Sequence, residues 1–196
     1  MKKPKVLIPQ RDLERRVAEI AADLERDYGP GRTADDPLLA VGVLQGSVFF
    51  LVDLLKQLRD LPVRMDFFQT SSYRGGTSAG EVRIRKDIDS WIRGRDVLLI
   101  EDIVDTGYTL RTILDLLRFR GARSVKLCAL LDKRSRREVD VPIDYLGFPI
   151  DDVFVVGYGL DHEGLYRNLP YIGVLEDDTE VLEDDGEDRP EEGGAA

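Results

Sequence analysis

Glu101, Asp102, Asp105, Thr106, Gly107 and Thr109 stand within nine residues of one another. A Thr-Gly-x-Thr turn entering a helix is a seat for an anion. The first-turn N–H groups have no intrahelical partner, and the positive end of the helix dipole points outward. Gly107 lets the backbone approach closely, while Thr106 and Thr109 add hydroxyl donors. Three acids beside a phosphate would repel it unless they have their own partners, which here are sugar hydroxyls, a divalent cation and a transferable proton. Glu101 and Asp102, adjacent in sequence, suit a vicinal diol or Mg²⁺. Asp105, inside the loop, is the candidate general base. One helix cap would account for Asp102 or Asp105, but not for three acids.

The elements that position these groups are legible around them. Residues 97–100 have the length and β-character of a strand buried on both faces. Leu110, Ile113, Leu114 and Leu117 then recur at helical spacing from about Thr109 to Phe119, and Gly121 supplies the stop. In open α/β sheets, ligands collect at the C-terminal ends of strands, which is where this turn falls. A second strand, glycine loop and helix follow the same plan: strand 38–44, Gln45-Gly46-Ser47, then helical periodicity over 49–58. Taken alone, that glycine is ordinary turn chemistry.

The remaining chain reads as a frame for these two units. An amphipathic helix over 12–28 carries Leu13, Val17, Ile20, Ala21 and Leu24 on one face. Strands are expected at 63–70, 81–86, 125–131 and 152–156, with a short closing run at 171–175. The polar, glycine-rich loop 71–80 is either a flap over a site or a surface linker. Trp91 is expected to be a partly buried anchor before the central strand.

Composition narrows the function classes. A chain of 196 residues with 42% hydrophobic content can bury one sizeable core. No apolar run approaches a membrane span and no signal peptide precedes the first helix, so a soluble, cytoplasmic protein is expected. The single Cys128 excludes an intrachain disulfide, and the single His162 excludes histidine-rich metal sites. The net charge of −10 resides in residues 176–196, which hold eleven acids against Arg189, so the rest of the chain is balanced. Such a tail is expected to be disordered and argues against nucleic-acid binding.

The segment VLLIEDIVDTGYT (97–109) resembles the 5-phosphoribosyl-1-pyrophosphate signature of type I phosphoribosyltransferases. Asp105 points to their 6-oxopurine branch, the hypoxanthine-guanine phosphoribosyltransferases. LQGS (44–47), SSYRGG (71–76), LLDKR (130–134), FVVGYGLD (154–161) and YRNLP (166–170) extend the resemblance over roughly residues 10–176. It implies an α/β fold with a mainly parallel central sheet flanked by helices, a small hood and a flexible hairpin loop. It implies a phosphoribosyltransferase domain over 1–175, followed by the acidic tail.

The implied activity is purine salvage, transfer of the 5-phosphoribosyl group from 5-phosphoribosyl-1-pyrophosphate to hypoxanthine or guanine with Mg²⁺, giving IMP or GMP and pyrophosphate. The implied assembly is a homodimer or homotetramer. A regulator that keeps the nucleotide seat without transfer chemistry is the alternative. By position, the loop Asp105, Thr106, Gly107, Tyr108 and Thr109 would hold the ribose 5-phosphate, and Glu101 and Asp102 would face the ribose hydroxyls and Mg²⁺. Gln45, Gly46 and Arg167 would meet pyrophosphate. Lys133 would donate to the purine O6, Phe154 would stack on the base, and Val155 would read its edge. Asp161 would hold a second Mg²⁺ through water, and Ser72 and Tyr73 would begin the closing loop. The resemblance also implies a cis Gln45–Gly46 bond, although Gln45 stands where the family commonly has Lys.

Overall fold

The computed structural model describes residues 3–72 and 82–175. In chain order it contains β1 (Lys5–Ile8), α1 (Gln10–Tyr28), β2 (Leu38–Val43), α2 (Val48–Gln57), β3 (Val63–Ser72) and β4 (Val82–Lys86). These are followed by β5 (Asp96–Val104), α3 (Tyr108–Phe119), β6 (Ser124–Asp132), a 3₁₀ turn (Arg134–Arg136), β7 (Tyr145–Pro149), β8 (Val155–Val156) and β9 (Ile172–Val174). Six strands form one sheet in the order β4-β3-β2-β5-β6-β7, and β1, β9 and β8 form a separate antiparallel hood. All pairings of the large sheet are parallel except β3 with β4.

The uninterrupted apolar runs of β2 and β5 are explained by burial on both faces. Leu98 and Ile100 of β5, with Leu38 and Ala40 of β2, pack against α1 and α2. Val97 and Leu99, with Leu39 and Val41, pack on the opposite face against α3. Strand alternation therefore sends each side chain into a core. Truncating one of these, Leu98→Ala for example, costs about 2–5 kcal/mol. On α1, Leu13, Val17, Ile20, Ala21, Leu24 and Tyr28 form the buried stripe, and the helix starts two residues earlier than its periodicity predicts because Pro9 serves as N-cap.

At the N-terminal end of the sheet, charges are paired with one another. Asp96, at the start of β5, accepts hydrogen bonds from Arg32 (2.7 Å), Arg123 (2.6 and 3.1 Å) and Ser124 (2.6 Å). Arg123 also reaches Asp36 at 2.7 Å, which Arg95 meets at 3.2 Å.

Four expectations need correction. The strand over 152–156 shrinks to Val155–Val156. β1 and β7 were not expected: β1 buries only Ile8, so it carries no alternation, and β7 contains Gly147 and Pro149. Gly147 is required because its backbone lies against that of Leu130 on β6. Trp91 is not an anchor but 72% exposed; Ile92 beside it is the buried residue. Finally, β5 continues through the acids to Val104, held by pairing with β6 at Ile103↔Leu131 and Val104↔Asp132. The expected hairpin is present as β3–β4, paired from Gln69↔Lys86 to Ser72↔Val82. Its tip, with Tyr73, and the tail 176–196 lie outside the described residues.

Candidate active site

The C-terminal ends of β2, β5 and β6 converge, as parallel order requires, and the hood leans over them. The loop after β2 brings Gln45-Gly46, β5 brings Glu101 and Asp102, and the β5–α3 loop brings Asp105 to Thr109. Lys133 follows β6 directly, while Phe154, Val155, Asp161 and Arg167 come from the hood segment. A cleft of about 220 Å³ runs between Leu44, Thr70, Glu101, Asp105, Thr106 and Thr109.

Gly107 is the N-cap of α3 at φ +94°, and a Cβ there would lie 2.7 Å from the Val139 carbonyl oxygen. Only glycine fits both conditions. No side chain among the described residues caps the helix, so neither Asp102 nor Asp105 has the capping role open to it in sequence. The loop is tied from behind: the Thr106 carbonyl accepts from the backbone N–H groups of Glu138 and Val139, each at 3.0 Å.

The acids are differently placed. Glu101 Oε2 is out of solvent's reach and has no hydrogen-bond partner among the described residues. Burial first, then the charge of Asp102 and a hydrogen bond with it, hold the Glu101 carboxyl well above the usual carboxylate range. Burial also raises Asp102, against the opposing pull of Glu101, the Ile103 N–H (3.0 Å) and Arg167. The Asp102 carboxylate lies against the α-carbon of Gly46, leaving no room for a side chain there. Asp105 is half-exposed and accepts from Arg136 Nε at 3.0 Å.

Lys133 is 9% exposed, with its ammonium 3.4 Å from Asp152. Arg136 lies 3.6 Å from the other Asp152 oxygen, so Lys133, Asp152, Arg136 and Asp105 form one chain of alternating charge. Sequence reasoning missed Arg136 and Asp152, the latter carried only as the first residue of the strand expected at 152–156. The Phe154 ring is 52% exposed, and His162 meets it edge-on at 5.3 Å, fixing its tilt. Val155 is buried in the β8–β9 pairing. Arg167 is clamped by Asp161 at 2.6 Å and by the Gly159 carbonyl at 2.5 Å. Asp161 also accepts from the Gly164 N–H at 2.7 Å. The cis bond lies one residue before the expected place, at Leu44–Gln45; with no proline to mark it, local residue type carries no register for such a bond. Gln45 itself is exposed.

This arrangement is matched by comparison with known proteins. The family described as phosphoribosyl transferase domain matches residues 7–163. The hypoxanthine-guanine phosphoribosyltransferase of Bacillus subtilis is 48% identical over 172 residues, covering 87% of this chain and 92% of that protein. The chain belongs to the hypoxanthine-guanine phosphoribosyltransferase family. The hypoxanthine phosphoribosyltransferase of Haemophilus influenzae is also 48% identical, over 88% of this chain and 96% of its own length. Among solved structures, the Staphylococcus aureus hypoxanthine phosphoribosyltransferase superposes with a TM-score of 0.81 at 47% identity, covering 88% of this chain and 91% of its own. The Trypanosoma cruzi hypoxanthine phosphoribosyltransferase in a ternary complex with substrates gives 0.84 at 41% identity, over 88% and 95%. The type I phosphoribosyltransferase fold and the enzymatic class expected from sequence therefore stand, and the relatives are enzymes of purine salvage. No helix among the described residues is long and apolar enough to cross a membrane.

Proposed function

We propose that this chain transfers the 5-phosphoribosyl group from 5-phosphoribosyl-1-pyrophosphate to the ring nitrogen of a 6-oxopurine. The observation that carries the reading is the uncapped start of α3 beside three acids, of which Glu101 presents a buried oxygen with no partner among the described residues. Backbone N–H groups at the start of α3, with the hydroxyls of Thr106 and Thr109, bind the 5-phosphate. Glu101 and Asp102 accept hydrogen bonds from the ribose hydroxyls. Arg167 and the Gln45-Gly46 loop hold the pyrophosphate.

As the purine nitrogen forms its bond to ribose C1, the bond from C1 to the pyrophosphate oxygen breaks and its electron pair leaves with pyrophosphate. The proton on that nitrogen passes to a carboxylate oxygen of Asp105. Lys133 donates to O6, the exposed face of Phe154 stacks on the base, and the Val155 backbone reads its edge.

Mg²⁺ fits this site. It binds through one or two carboxylates while keeping water and substrate oxygens, and the unpartnered Glu101 oxygen beside Asp102 offers that donor set. When bound it neutralises charge on the leaving pyrophosphate. A second ion near Asp161 must share a carboxylate already held by Arg167 and Gly164.

Purine-dependent release of pyrophosphate is the test. Hypoxanthine or guanine should support it, and adenine should be rejected by about 10³-fold or more in kcat/KM, because the Lys133 ammonium cannot accept from a 6-amino group. Equal rates with adenine and hypoxanthine would overturn the assignment of Lys133, and no release with any purine would overturn the activity.

A further inference from the structure

Gly157, Tyr158 and Gly159 form a turn with φ values of +97°, +50° and +104°. Glycines tolerate this, but a tyrosine in the left-handed region is uncommon and is kept only where its surroundings hold it. The Tyr158 side chain supplies the hold. It is 7% exposed, its hydroxyl donates to Asp53 Oδ2 at 2.9 Å, and its ring packs on Phe49 with centroids 6.3 Å apart. Both partners belong to α2, the helix that follows the Gln45-Gly46 loop. Burial and the charge of Asp53 raise the tyrosine's pKa, so it remains a donor across the working pH range.

What the turn carries is the pyrophosphate end of the site. The Gly159 carbonyl accepts from Arg167 Nη1 at 2.5 Å, and its N–H donates to the Arg167 carbonyl at 3.0 Å. The α-carbon of Gly159 lies against the Gly46 carbonyl, and that of Gly46 lies against the Asp102 carboxylate, with no space for a Cβ at either. Tyr158, Gly159, Gly46 and Asp102 are thus stacked in sequence, with Arg167 hung from the second member.

We propose that the Tyr158–Asp53 hydrogen bond is a positioning device for the pyrophosphate subsite, docking the hood turn on α2 so that Arg167 and the Gln45-Gly46 loop address one anion. Neither residue touches substrate. The inference rests on the proposed function, since it concerns the same subsite.

The test separates the two ends of the reaction. Tyr158→Phe keeps the ring and removes the donor; Asp53→Ala removes the acceptor. Each should raise KM for 5-phosphoribosyl-1-pyrophosphate about fivefold, the size of one buried hydrogen bond, with KM for hypoxanthine within about twofold. The double variant should be no worse than either single one, because the two share one interaction. Asp53→Asn, whose amide oxygen still accepts, should restore near-normal values. Calorimetric titration with magnesium pyrophosphate reads the subsite without turnover and should show the same loss in the folded variants. Unchanged pyrophosphate binding in Tyr158→Phe, or equal loss for purine and pyrophosphate, overturns the positioning role. Absence of transfer by the unaltered chain overturns the activity instead, leaving the calorimetric comparison to decide this inference.

Discussion

Strand β5 carries acids at both ends, and the two ends treat them in opposite ways. Asp96, at the N-terminal end, is enclosed by Arg32, Arg123 and Ser124. The Arg123 hydrogen bond, more than any other contact, drives its pKa far below the carboxylate range. Glu101 and Asp102, five and six residues on, are both pushed upward by burial, Glu101 further by the neighbouring Asp102. All three are carboxylates, and they share one strand. The difference is whether cations of the protein were placed to meet the charge. Paired acids hold the bottom of the sheet together; acids left crowded at the top are stable only in company that arrives from outside, which is a physical description of a binding site.

The largest effect should come at the top. Asp105→Asn keeps shape and removes the proton acceptor, so kcat should fall by about 10² or more while KM values stay within about threefold. Steady-state kinetics with hypoxanthine decides this; near-normal turnover would remove Asp105 from the chemistry.

At the bottom, Asp96→Asn should leave kcat unchanged and lower stability by about 2 kcal/mol, since three donors lose an ionised acceptor. The pH dependence has a definite sign. The folded pKa of Asp96 lies below the ordinary value of about 4, so its contribution is present at neutral pH and disappears as pH falls below that value. Urea denaturation should therefore show the gap between the unaltered chain and Asp96→Asn closing as pH is lowered below about 4. A gap that persists in acid would mean the network acts by shape, not charge.

Glu101→Gln sharpens the contrast. Transfer should drop, yet the unliganded protein should melt no lower and gain about 1 kcal/mol at pH 8, because a buried charge has been removed from an unpaired site. Destabilisation comparable to that of Asp96→Asn would show that both ends are structural.

The smallest effect belongs to Gln45→Ala, expected within about 1 kcal/mol, less than tenfold in kcat/KM. The exposed amide brings no charge, and Arg167 supplies it. A larger loss would assign pyrophosphate binding to the Gln45 side chain.

Much of this was legible before any coordinates. The double-sided burial of β2 and β5, the start of α3 to within one residue of Thr109 and the clustering of Glu101, Asp102 and Asp105 are all encoded by neighbours in sequence, through periodicity, glycine freedom and charge density. β1 and β7 were not legible, because short edge strands with one buried face or an internal glycine lack that periodicity. Trp91 misled because large apolar residues are buried only on average.

The sequence by itself determined which residues could hold a phosphate, a sugar and a proton, since those capacities reside in side-chain chemistry and local backbone geometry. Tertiary structure alone decided their company. It set Arg136 against Asp105, Asp152 against Lys133, Tyr158 against Asp53 and the α-carbon of Gly46 against Asp102. Such partners lie from 19 to 105 residues apart wherever a hydrogen bond records the separation. Strand order and loop path bring them together, and no local rule of propensity or spacing reaches that far.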